Sequence, residues 1–145
     1  MLASMGLMSG NGPLGRTPAG TFNFEPPPAG RALYFDPCHK RVRVVAGGET
    51  IADSRNLLLL QESGHQPVYY FPPDDVRMDL LEPSDRHTRC PKKGEASYYT
   101  IRAGERAAEN AVWTYEDPYP AVAPIKGHLA FYPNQVDRIE ELPAR

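Results

Sequence analysis

The residues best suited to chemistry gather between Gly64 and Tyr99. They are Tyr69, Tyr70, Arg77, His87, Cys90, Lys93, Tyr98 and Tyr99, with Pro91 and Gly94 fixing the backbone around the cysteine. Within Thr88-Arg89-Cys90-Pro91-Lys92-Lys93-Gly94 a thiol stands among cationic side chains, the setting that lowers a cysteine pKa and makes a nucleophile. His87 precedes it as a candidate base. One expectation is therefore a thiol-dependent enzyme with Cys90 and His87 as its catalytic residues. The same pattern suits a small buried cysteine ahead of a turn, with its lysines in solvent.

Aromatic residues supply the leading expectation, a domain that binds a small anionic or aromatic metabolite. Tyr69, Tyr99, Trp113, Tyr115 and Tyr132 sit in or near apolar runs, where rings can line a concave site and stack on a flat ligand. Arg77 and Lys93 would hold an anionic group. The alternative for each ring is core packing, and for Arg77 a surface ion pair with Glu62 or Asp74. A third expectation is an interaction module that adds a strand to a partner or to itself.

Other chemistries find little footing. His39, His65, His87 and His128 are scattered without the i, i+4 spacing of two metal ligands on a helix, so no metal site is expected unless the fold assembles one. Asp74-Asp75 and Glu140-Glu141 are adjacent pairs, which point apart in an extended chain. There is no Walker loop, dinucleotide fingerprint or nucleophile elbow, and the sequence specifies no cofactor. A formal net charge of −2 gives no field to attract phosphate backbones, and no apolar run approaches a membrane span. The expected protein binds neither nucleic acid nor membrane. It is read as cytoplasmic, with Cys38 and Cys90 free rather than joined in a disulfide.

The elements that position these residues read as short strands. In 145 residues, 16 prolines and 12 glycines break up long helices, and the length suits one domain. Residues 1–31 form a Pro/Gly-rich arm, in which Phe22 and Phe24 alternate as a short edge strand would. Residues 32–138 form a single antiparallel β domain, barrel-like or β-tent-like, with one or two short helices, and 139–145 a tail. Arg41–Val45 and Glu49–Asp53 make a hairpin across Gly47-Gly48 that sets Val44 opposite Ile51. Leu57–Leu60 and Val68–Phe71 are strands, and Asp75–Leu81 is a helix of about two turns. A further hairpin turns at Gly104-Glu105 between Ser97–Ile101 and Ala107–Tyr115. Pro118–Pro124 is a loop and Gly127–Tyr132 closes the sheet. Glu49–Ser54 is loosely echoed by Glu105–Asn110, which fits either a pseudo-symmetric pair or two hairpins with the same turn grammar.

Five blocks in register resemble a known family. They are Gly47-Gly48-Glu49-Thr50-Ile51-Ala52-Asp53-Ser54, Pro67 to Pro72, Asp75 to Leu81, Cys90-Pro91-Lys92-Lys93-Gly94 and His128 to Pro133. The family is the bacterial and fungal one catalogued as domain of unknown function four-two-seven, and the resemblance covers about residues 32–138. It implies a compact, mainly antiparallel β domain, alone or duplicated, sometimes labelled nucleotidyltransferase-like. Nucleotidyltransferases of the usual type carry two metal-holding acids one residue apart after the glycine turn; here Asp53 is followed at the second position by Arg55. Similarity to β-tent folds that carry a zinc ribbon would be without its cysteines. Lys92 departs from the family's usual block, where a neutral residue is expected.

Overall fold

The computed structural model describes residues 33–62 and 64–143, with side chains from Phe35 onward, so the expected arm with Phe22 and Phe24 lies outside the described residues. Ten strands follow one another: β1 (Leu33–Cys38), β2 (Arg41–Ala46), β3 (Glu49–Ser54), β4 (Leu57–Glu62), β5 (Val68–Tyr70), β6 (Leu81–Cys90), β7 (Gly94–Ala103), β8 (Arg106–Thr114), β9 (Leu129–Phe131) and β10 (Arg138–Leu142). They form three sheets, ordered β1-β4-β5, β10-β2-β3 and β6-β7-β8-β9, rather than one closed barrel. No helix among the described residues is long and apolar enough to cross a membrane. The chain divides into two compact units, residues 33–36 with 59–68 and residues 37–58 with 69–143. In the smaller unit Gln61 Nε2 donates to Asp36 Oδ2 at 2.9 Å.

Three local expectations change. The Gly47-Gly48 hairpin forms, but its register shifts between Val44 and Val45, so Val44 faces Ala52 and Ile51 is the extra residue of a bulge. The helix over 75–81 is replaced by two 3-10 turns, Pro73–Asp75 and Met78–Leu80, because Val76 returns to extended backbone to bridge Ala52. Residues after 138, read as the start of a tail, are strand β10 paired along β2. Strand β6, a ten-residue edge strand, occupies the stretch that sequence analysis treated only as a carrier of reactive groups.

The core explains why these strands hold. Val42, Val44, Ile51, Leu57, Phe71, Ile101, Val112, Leu129 and Phe131 are buried in one cluster, and Phe71 meets Phe131 edge-to-face at 5.4 Å between centroids. Phe71 is locked to β9 by reciprocal amide bonds with Leu129, each 2.8 Å. Two glycine turns meet at one corner. A methyl group at Gly47 would lie 2.3 Å from the Ala103 carbonyl oxygen, and Asp137 closes the corner by accepting from the Gly48 N–H at 3.0 Å and from Arg106 at 2.8 Å.

Carboxylates tie the sheet surfaces together and set the acid limit of stability. Arg41 grips both oxygens of Asp53 at 2.9 and 2.8 Å, which holds that carboxyl below its usual range. Backbone N–H donors from Gly48 do the same for Asp137. A depressed folded pKa contributes stability above the unfolded value, about 4, and loses it as pH falls through the folded value. The urea midpoint is therefore expected to be insensitive to these two groups between pH 7 and 5 and to fall below about pH 4. In Asp53→Asn/Asp137→Asn the midpoint is already lower at pH 7, and the acid fall is shallower. An acid fall as steep in the double variant as in the wild type would assign it to other groups.

Candidate functional site

Strand alternation sorts the aromatic residues into two layers. Directly opposed residues of an antiparallel ladder share a face. In β6-β7-β8-β9 the opposed residues Tyr99, Val112 and Phe131 turn one way, and Tyr98, Trp113 and Ala130 the other. The first face joins the apolar core. The second carries a polar aromatic layer, completed by Tyr70, Tyr115 and Tyr132.

The layer's polar atoms point at one another. Trp113 Nε1 donates to the Tyr70 hydroxyl at 3.1 Å, with the two rings perpendicular at 6.3 Å. Tyr132 lies against Trp113 at 4.5 Å between centroids, tilted by 47°. The Tyr98 hydroxyl bonds to Thr88 Oγ1 at 2.8 Å and to the Tyr132 hydroxyl. Burial, then the bond to Tyr98, raises the Tyr132 phenol to about 12. Burial also raises Tyr115, with smaller contributions from Tyr70, Cys90, Tyr98 and Tyr132 around it. The Tyr115 and Tyr132 phenols therefore stay neutral through the physiological range. Tyr70, Tyr98 and Tyr115 are buried, whereas Trp113 and Tyr132 are only half-buried and form the accessible part. At the rim Arg86 sets its guanidinium carbon 4.9 Å above the Tyr98 ring.

The residues expected from sequence are distributed over this arrangement unequally. Trp113 and Tyr132 belong to the layer, and Cys90 lies beside Tyr115 on the same side. Tyr69 and Tyr99 pack against the apolar core instead. The Tyr69 hydroxyl donates to Glu141, and burial followed by that carboxylate raises it to about 12. Burial and then Glu116 raise Tyr99. Arg77 follows the first 3-10 turn, where Asp79 takes it bidentately at 2.9 and 2.8 Å, so neither Glu62 nor Asp74 is its carboxylate. Lys93 is buried in the turn after Cys90, its amide donating to the Cys90 carbonyl at 3.3 Å and its carbonyl accepting from Tyr119.

The thiol and its expected base are separated by the strand they share. Residues three apart on a strand face opposite ways. Cys90 opposes Gly94, while His87 opposes Ser97 and sets Nδ1 3.4 Å from the Ser97 hydroxyl. His87 is on the face of Tyr99, not of Cys90. What sequence reasoning missed is Arg86; Tyr70 and Tyr98 stand among the residues suited to chemistry but outside the expected ligand site. The signal lay in the doublets Tyr69-Tyr70 and Tyr98-Tyr99, each of which sends one ring to either face.

Concave surfaces also lie elsewhere on the larger unit. One of about 480 Å³ is lined by Arg89, Glu95, Ser97, Glu116, Asp117 and Tyr119 among others, and one of about 510 Å³ by Arg41, Asp53, Ser54, Arg55, Asn56 and Asp75. Several of their polar groups already engage one another. Arg89 donates to the Tyr119 hydroxyl at 3.1 Å, and Ser54 Oγ donates to Asp75 at 2.6 Å while accepting the Asn56 N–H. That serine explains two sequence blocks at once, since it ties the strand bearing Asp53 to the turn bearing Asp75. Asp53 is a poor metal ligand here, with both oxygens in the fork of Arg41 and Arg55 two residues on.

Fold and site together define a mainly antiparallel β protein whose principal sheet is apolar on one face and lined by phenols and an indole on the other. The chain belongs to the family described as Domain of unknown function (DUF427), whose model, named NTP_transf_9, matches residues 34–142. No curated protein matches it.

Proposed function

We propose that the protein binds a small aromatic or anionic metabolite against the half-buried rings of Trp113 and Tyr132, with Arg86 as the cation at the rim. The observation that carries this reading is the concentration of five aromatic side chains on one sheet face with a guanidinium poised over one of them. The hydroxyls of Tyr70, Tyr98 and Tyr132 and the indole N–H are engaged within the layer or with Thr88, so a ligand is recognised by stacking on the exposed ring faces and by charge at Arg86. Nucleotidyl transfer, which the family name suggests, gains nothing from the glycine turn. Gly47 abuts the Ala103 carbonyl, and the Gly48 N–H is already taken by a carboxylate.

Trp113 is the sole tryptophan of the sequence, so intrinsic fluorescence reports this face alone. A panel of aromatic acids, nucleosides and nucleotides, scanned by Trp113 emission and thermal shift, is expected to yield a compound that quenches or shifts the emission. At a hundred times its dissociation constant it would stabilise the fold by about 2.7 kcal/mol. Tyr132→Ala and Arg86→Ala are each expected to weaken it at least tenfold, a loss of about 1.4 kcal/mol. If the panel moves the wild type no more than the Tyr132→Ala/Arg86→Ala double variant, the reading is wrong.

A further inference from the structure

We infer that Arg86 makes this face selective for acids over their neutral analogues, and that Ser84 and Asn110 are the residues that position it; the selectivity rests on the binding role proposed above, the positioning does not. The ladder of β7 is interrupted at two neighbouring places. On the β6 side the pairing passes from Pro83↔Tyr99 to His87↔Ser97, which leaves Ser84, Asp85 and Arg86 standing against Tyr98 alone. On the β8 side it passes from Tyr99↔Val112 to Ile101↔Ala108, which leaves Glu109, Asn110 and Ala111 against Thr100 alone. Such bulges re-aim side chains and twist the strand locally. Here two of them lie on either side of β7, two residues apart along it.

A chain of hydrogen bonds joins them. Asn110 has a φ of 54°, the only positive value at a non-glycine residue among those described, and its N–H donates to Thr100 Oγ1 at 3.3 Å. The Asn110 side-chain oxygen accepts from Ser84 Oγ, and Ser84 Oγ in turn accepts the Arg86 N–H at 3.1 Å. The result is an exposed arginine whose backbone is fixed from two strands away. Its charged group lies over Tyr98, next to the Tyr132 hydroxyl, whose pKa it pulls down against the effect of burial. Arg41, Arg77, Arg102 and Arg106 are each engaged with a carboxylate. Arg86 is stacked on a ring instead, which leaves its N–H fork for an incoming carboxylate.

The apo protein tests the positioning without any ligand, by comparing quenching of Trp113 by iodide, an anion, and by acrylamide, which is neutral. Removing one nearby positive charge is expected to lower the iodide constant about twofold at low salt and to leave acrylamide unchanged. Arg86→Ala should do this and Arg86→Lys should largely not. Ser84→Ala and Asn110→Gly should reproduce the effect of Arg86→Ala, the glycine accepting the positive φ so that only the side-chain acceptor is lost. Normal iodide quenching in both Ser84→Ala and Asn110→Gly would overturn the positioning role, and normal quenching in Arg86→Ala would overturn the inference as a whole. Benzoate and benzyl alcohol then test selectivity. Arg86→Ala is expected to weaken benzoate about tenfold and benzyl alcohol hardly at all; equal weakening of both overturns the selectivity. Failure of both compounds to bind the wild type, with the iodide pattern intact, removes the binding role for these probes and with it the selectivity, and upholds the positioning.

Discussion

Gly47→Ala is expected to destabilise the protein by about 3 kcal/mol or more, while Gly48→Ala, one residue along the same turn, costs about 1 kcal/mol. Both glycines have positive φ, 59° and 77°, so both substitutions carry the penalty of placing a Cβ in the left-handed region. Only Gly47 carries a second one. Its added methyl group would meet backbone, the Ala103 carbonyl at 2.3 Å, whereas at Gly48 there is nothing within 4 Å. Backbone has no rotamer to escape into, so one of the two turns has to retreat. That retreat would disturb the bonds by which Asp137 holds Gly48 and Arg106. Urea unfolding at pH 7 separates the two variants. Equal losses would mean that the corner yields easily and that the pair is needed for turn geometry alone. In this chain the close approach of two turns accounts for Gly47, and the positive φ of the turn for Gly48.

Much of the fold is legible in the sequence because strand signals are local. The two glycine hairpins, the strands at Leu57 and Val68 and the closing strand after Gly127 can all be read from alternation and turn residues, and the mainly antiparallel class follows from them. Register is less legible. The bulge that moves Val44 from Ile51 to Ala52 has no local marker, because it answers to packing across the sheet. Strand β6 is hidden for a related reason. As an edge strand with Glu82, Asp85, Arg86 and Arg89 exposed, and with Pro83 inside, it lacks the apolar alternation of its neighbours. The candidate site suffers twice over. Without β6 there is no means of seeing that His87 and Cys90 diverge or that Arg86 reaches Tyr98. Without register, the choice within each tyrosine doublet falls on the core-side members, Tyr69 and Tyr99, when the layer uses Tyr70 and Tyr98.

The opposite roles of adjacent residues give the second large effect. Phe71→Ala is expected to cost about 3–5 kcal/mol, the range for removing a large ring from a well-packed core. Phe71 is 1% exposed, packs edge-to-face on Phe131 and sits where β9 is pinned by its amide bonds to Leu129. Tyr70, equally buried, turns to the other face, and Tyr70→Phe keeps the ring while deleting the oxygen that accepts from Trp113 Nε1. That change is expected to cost about 1–3 kcal/mol, since it leaves a donor without its acceptor while retaining the packing. The spectroscopic signatures should divide in the same way. Phe71→Ala lowers the unfolding midpoint but leaves the emission maximum of the folded protein near that of the wild type, because its cavity opens on the core face. Tyr70→Phe shifts the emission, because the indole has lost its partner, and alters the response of Trp113 to whichever compound the screen identifies. Fluorescence-detected urea melts of the two variants measure both quantities in one experiment. A Tyr70→Phe protein whose Trp113 emission and ligand response match the wild type would place the polar layer among the structural features of the fold. A Phe71→Ala protein that shifts the emission while Tyr70→Phe does not would reverse the assignment of the two faces.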